Sequence, residues 1–94
     1  MSDSMKRKAV SITLYGHVQQ VGFRYFVYRL AEELGVSGFV RNEPNTSVYI
    51  EAEAEPHTLD VFLEHCKKGP PHADVTKYFV NSMPVQDFKG FVIR

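Results

Sequence analysis

Residues 8–34 read KAVSITLYGHVQQVGFRYFVYRLAEEL, and the change of period inside this stretch decides the fold. From Lys8 to Tyr15, Val10, Ile12 and Leu14 alternate with Ala9, Ser11, Thr13 and Tyr15. A period of two belongs to a half-buried strand. From Phe23 to Leu34, the apolar residues Phe23, Val27, Leu30, Ala31 and Leu34 recur at helical spacing, and Gly35 stands where a C-terminal cap is expected. Between the two lies Gly16-His17-Val18-Gln19-Gln20-Val21-Gly22. A loop that leaves a strand and opens a helix aims several backbone N–H groups one way. Those unpaired donors and the helix dipole make a ready anion site. Arg24, just beyond the loop, adds a planar fork of donors suited to phosphate oxygens. The stretch reads as a small-phosphate site.

The rest of the chain supplies partners for this strand and helix. Val36 to Asn42 reads as a second strand, Glu43-Pro44-Asn45-Thr46 as a turn, and Ser47 to Ala54 as a third strand. In that third strand Val48, Ile50 and Ala52 face one way and Tyr49, Glu51 and Glu53 the other. Pro56 suits the first turn of a second helix, with Leu59, Phe62, Leu63 and Cys66 as its inward stripe. Lys67 and Lys68 suit its negative end, and Gly69-Pro70-Pro71 stops it. Val75, Lys77, Phe79 and Val80 mark a fourth strand. Phe88 to Arg94 marks a last one, with Phe91 and Ile93 on one face. The order β-α-β-β-α-β with an extra terminal strand is the split βαβ, ferredoxin-like plan of the α+β class. It predicts an antiparallel sheet with two helices on one face and the other face open to water.

Bulk properties narrow the function. A chain of 94 residues holds one core, expected over residues 8–94, with Met1 to Arg7 as a frayed, flexible tail. Lys plus Arg and Asp plus Glu balance at 11 each, so no global field grips a polyanion. A small phosphate needs only local donors. The single cysteine, Cys66, allows no internal disulfide, and residues 1–8 carry no apolar run of a signal peptide. No segment reaches the roughly 20 apolar residues of a membrane span. A soluble, cytoplasmic monomer is expected. His17, His57, His65 and His72 lack metal-ligand spacing, so no metal is expected, though the His17 side chain could line the loop mouth. Cys66 on an apolar stripe, and Phe23, Phe39, Phe62, Phe79, Phe88 and Phe91, read as core residues.

With the loop so placed, the chain resembles the acylphosphatases from about Val10 to Arg94. Leu14-Tyr15-Gly16-His17-Val18-Gln19-Gln20-Val21-Gly22-Phe23-Arg24 matches the family's first signature, usually V-Q-G-V-x-F-R. Gly38-Phe39-Val40-Arg41-Asn42 matches the opening of its second. Leu34-Gly35 and Gly69-Pro70-Pro71-His72-Ala73-Asp74-Val75 stand where family members carry similar residues. Three glycines of the pattern are replaced, by Gln20 in the loop, by Thr46 in the turn and by Ala54 at the end of the third strand. A Gln20 at φ > 0 would be strained. In the turn, Asn45 is the residue that tolerates the left-handed region, and it is expected to take it in place of position 46.

The resemblance implies hydrolysis of small acyl phosphates to a carboxylate and inorganic phosphate, with no metal and no other cofactor. It implies that Arg24 and the backbone amides of Gly16, His17, Val18, Gln19, Gln20, Val21 and Gly22 bind the phosphate, and that Asn42 orients the attacking water. Read alone, Asn42 before a turn is an ordinary turn former. The implied chemistry suits so spare a site. A carboxylate leaves with a pKa of about 4 and needs no general acid at neutral pH. A loose phosphoryl-transfer transition state needs little nucleophilic push. Glu43, next to Asn42, would repel the substrate if its carboxylate faced the site.

Two other functions compete. A catalytically weak module that binds phosphate or carbamoyl phosphate is suggested by the replaced glycines. The run Val21-Gly22-Phe23-Arg24-Tyr25-Phe26-Val27-Tyr28-Arg29-Leu30 is also similar to the acylphosphatase-like domain that opens the large carbamoyltransferases of hydrogenase maturation. Those proteins are far longer. An RNA-binding ferredoxin-like domain is suggested by Lys89-Gly90-Phe91-Val92-Ile93-Arg94, but zero net charge and the lack of a paired aromatic motif oppose it.

Overall fold

The computed structural model describes residues 6–94. The expected tail falls mostly on residues 1–5, outside the described residues. Arg7 is tied down, its Nη2 donating to the backbone oxygen of Glu53 at 2.9 Å.

The elements follow in the predicted order: β1 (Lys8–His17), α1 (Phe23–Leu34), β2 (Ser37–Asn42), β3 (Val48–Ala54), α2 (Pro56–Lys68), β4 (Asp74–Met83) and β5 (Phe91–Ile93). The strands form one sheet in the order β4-β1-β3-β2-β5. α1 lies over β2 and β5, and α2 over β3, β4 and β1. Ile12, Leu14, Val40, Val48, Ile50 and Ala52 meet Phe23, Val27, Ala31, Leu59, Phe62 and Cys66 in the core between them. The alternation read in β1 and β3 is thus the alternation between the helix-covered face and the other face. Cys66 is a buried core residue, and burial pushes its thiol pKa up. Among the described residues, no helix is long and apolar enough to cross a membrane.

β1 runs two residues past its predicted end, because Gly16 lets it continue. The register of β1 against β4 shifts between Tyr15 and Gly16. Gly16 sits at φ 125, where an added Cβ would run into the backbone oxygen of Asp74. Only glycine fits this bulge.

The sheet departs from a fully antiparallel plan at one edge: β5 pairs with β2 in parallel, Gly38 opposite Phe91 and Val40 opposite Ile93. β4 ends at the same end of the sheet at which β5 begins, so β5 runs against β4 and therefore with β2. The connection, residues 84–90, crosses from one edge of the sheet to the other. It covers part of the face expected to be wet. Beneath it Glu53 is fully buried, although it points away from the helices as predicted. Its carboxylate accepts the backbone N–H of Gln86 and, at 3.2 Å, that of Phe88. Asp87 between them has φ 59, which turns both amides toward one carboxylate. Phe88 packs edge-on against Phe39, with ring centroids 5.9 Å apart. The last strand is accordingly shorter than predicted: Phe88 belongs to the crossing, where Glu53 takes the N–H that a ladder would need.

Candidate active site

β1, β2 and β5 run in one direction, since β3 is antiparallel to both β1 and β2. Their C-terminal ends meet at the start of α1. This brings the loop after β1, Asn42 at the end of β2, and Ile93 at the end of β5 to one end of the sheet. There they border a cavity of about 230 Å³, with Arg24 and Tyr25 from the first turn of α1. Val18, Gln20, Gly22 and Phe23 complete its lining.

The loop is held from both sides. Val18 is fully buried. The Gln19 side-chain amide donates to the backbone oxygens of Glu43 at 2.9 Å and Ser47 at 3.0 Å, fastening the loop to the β2–β3 turn. Gln20 takes φ 63, the strained left-handed conformation that its glycine-like position demands. Gly22 caps α1 at φ 78, with no side-chain cap and no acidic residue in the first turn. Among the described residues, no protein acceptor takes the N–H of any residue from Val18 to Tyr25. A helix start with open amides, no capping carboxylate and a guanidinium beside it favours an anion.

The structure brings Arg24 and Asn42 to the same cavity, with Val18, Gln20 and Gly22 of the predicted cradle. It places the other predicted residues elsewhere. Gly16 and His17 belong to β1, paired with Val75 and Asp74, and the His17 side chain is exposed outside the cavity lining. Gln19 spends its side chain on the turn. Val21 packs against the core. Glu43 does not border the cavity: its carboxylate accepts from the Arg41 Nε, which disposes of the repulsion considered above. That hydrogen bond is also the first reason the Arg41 guanidinium has a raised pKa.

The turn corrects one expectation. Thr46, not Asn45, takes the left-handed conformation, at φ 75. Asn45 is occupied otherwise, its Oδ1 accepting from the Ser47 backbone N–H at 3.1 Å and from the Ser47 hydroxyl at 2.6 Å. At the third replaced glycine, Ala54 lies buried in β3 without a positive φ.

Tyr25 and Ile93 were not anticipated as site residues. Tyr25 follows Arg24 in the first turn of α1, and both border the cavity. Ile93 was grouped with Phe91, which is buried against Phe62, but Ile93 is 42% exposed at the cavity. Only the parallel pairing of β5 beside β2 brings it near Asn42, and no local pattern encodes that pairing.

Known proteins resemble this chain along nearly its whole length. The family model described as Acylphosphatase matches residues 10–93. An acylphosphatase of Archaeoglobus fulgidus is 45% identical over 85 residues, covering 90% of this chain and 96% of that protein. Among solved structures, an acylphosphatase from Coxiella burnetii superposes with a TM-score of 0.90 at 32% identity, over 94% of this chain and 93% of that one. Full-length HypF in its phosphate- and nucleotide-bound form superposes with a TM-score of 0.86 at 30% identity, over 96% of this chain but 12% of the HypF chain. With a family match running from β1 to β5 and relatives of nearly its own length, the chain belongs to the acylphosphatase family.

Proposed function

We propose that the protein hydrolyses small acyl phosphates at the carboxyl–phosphate bond, without a metal, using Arg24 and the loop amides for the phosphate and Asn42 for the water. The observation that carries this reading is the shared cavity of Arg24 and Asn42, walled by a loop of open amides and free of any carboxylate. In the proposed reaction the guanidinium and the amides from Val18 to Gly22 hold the phosphoryl oxygens and spread their charge. Asn42, whose side-chain amide has no protein partner among the described residues, holds one water in line with the bond to be broken. The water oxygen bonds to phosphorus as the acyl oxygen departs as a carboxylate. The leaving group requires no proton, so a site without general acid or Lewis acid suffices.

Steady-state hydrolysis of benzoyl phosphate tests the proposal. Turnover unchanged by EDTA is expected, with inorganic phosphate as a competitive inhibitor. Arg24→Ala is expected to lose both turnover and phosphate inhibition. Asn42→Ala is expected to lose turnover by at least a hundredfold yet keep phosphate binding, since the water does not hold the anion. Normal turnover in Asn42→Ala would remove its role. The likeness to a short part of HypF and the strained Gln20 favour one second reading, a phosphate- or carbamoyl-phosphate-binding module. That reading predicts phosphate binding without turnover in the unmodified protein.

A further inference from the structure

Tyr25 and Ile93 are 58% and 42% exposed, yet they come from α1 and β5, far apart in the chain, and border one cavity. Single exposed apolar side chains are ordinary on a protein surface; two brought together beside an anion cradle form a surface of their own. The Tyr25 ring is already ordered. It stacks on Tyr28, with centroids 6.3 Å apart, and the Arg29 Nη1 lies 3.5 Å from its hydroxyl. A ring fixed by its own helix loses little freedom when a ligand settles on it. Among the described residues, the only formal charge in the cavity lining is Arg24, which the phosphate would occupy. Arg29, outside the lining, sits on the Tyr25 ring with its Cζ 5.9 Å from the centroid. The cavity, at about 230 Å³, is smaller than the usual range for drug-sized ligands of about 300–1,000 Å³, so the group it takes is small.

We infer that Tyr25 and Ile93 seat the acyl group, and that the preferred substrates are acyl phosphates whose acyl part is apolar, such as an aromatic or branched carboxylic acid. The inference rests on the acyl phosphate reading above and adds the substrate class. Both residues set specificity; neither touches the reacting phosphorus.

The test is the ratio of kcat/KM for benzoyl phosphate to that for acetyl phosphate. In the unmodified protein the ratio is expected to exceed about ten, since a small apolar contact discriminates by roughly tenfold or more. Ile93→Ser and Tyr25→Ser, both at exposed positions, are each expected to lower the ratio about tenfold, chiefly through a higher KM for benzoyl phosphate. Ile93→Val and Tyr25→Phe should restore it. A ratio near one in the unmodified protein, or a ratio unmoved by both serine variants, overturns the assignment while leaving hydrolysis in place. Equal losses on both substrates overturn it too, because they locate the effect at the phosphate end. No turnover of either substrate defeats the hydrolysis reading itself, and this inference with it.

Discussion

Thr46 carries the clearest local strain in the chain. A β-branched residue at φ 75 is crowded against its own backbone, which costs on the order of 1–2 kcal/mol. Glycine relieves that crowding but loosens the unfolded chain by up to about 1 kcal/mol. Thr46→Gly is therefore expected to stabilise the protein by about 1 kcal/mol and raise its melting temperature by about 4–8 °C in a calorimetric scan. An unchanged or lower midpoint would mean the turn relaxes in some other way. Gln20, at φ 63, is strained for the same reason, but its side chain borders the cavity, so its replacement would mix stability with activity. The two positions also show what a sequence conceals. That glycines were replaced is legible. Which residue bears the left-handed conformation is not, because Asn45 looks like the better candidate until its side chain is seen bonded to Ser47.

Among the elements, the tie between the loop and the β2–β3 turn matters most, for it sets the distance between the proposed phosphate cradle and Asn42. Among the described residues, Gln19 alone makes hydrogen bonds across it, two of them, to backbone oxygens. Gln19→Leu removes both bonds and leaves each carbonyl only its partner inside the turn, the Thr46 N–H on Glu43 and the Glu43 N–H on Ser47, so a loss of about 1–2 kcal/mol of stability is expected in urea unfolding. It should also lower kcat/KM for an acyl phosphate by about tenfold to a hundredfold, because a small misplacement of the water in the proposed mechanism is expensive. Full activity in a folded Gln19→Leu protein would show that the cradle and the turn hold their places separately. Strand and helix positions were readable because period two and period 3.6 leave marks within a few residues, as in Lys8–Tyr15 and Phe23–Leu34. Arg24 and Asn42 were readable through the motifs around them. Gln19 as a fastening, Ile93 as a wall and Glu53 as a buried charge depend on contacts with residues far along the chain, and nothing next to them in sequence records those contacts.

Across the whole molecule, the cavity lies at one end of the sheet and the crossing segment at the other. The crossing is anchored by a single buried carboxylate, which loses its water on burial and regains it as two backbone N–H bonds. Glu53→Gln keeps the shape but offers one accepting oxygen and buries an amide with no acceptor assigned to it. A loss of about 2–3 kcal/mol in chemical denaturation is expected. A loss below about 0.5 kcal/mol would mean that Phe88 and Phe39 hold the crossing without the charge.

Glu53 grips Gln86 and Phe88, and from there only Lys89 and Gly90 separate the crossing from β5. Those two residues act as a ruler. One residue fewer would invert the alternation of β5, lifting Phe91 out of the core, setting Val92 where Phe91 stands and Arg94 where Ile93 stands. The length of a two-residue spacer thus decides which side chain reaches the cavity at the far end of the sheet.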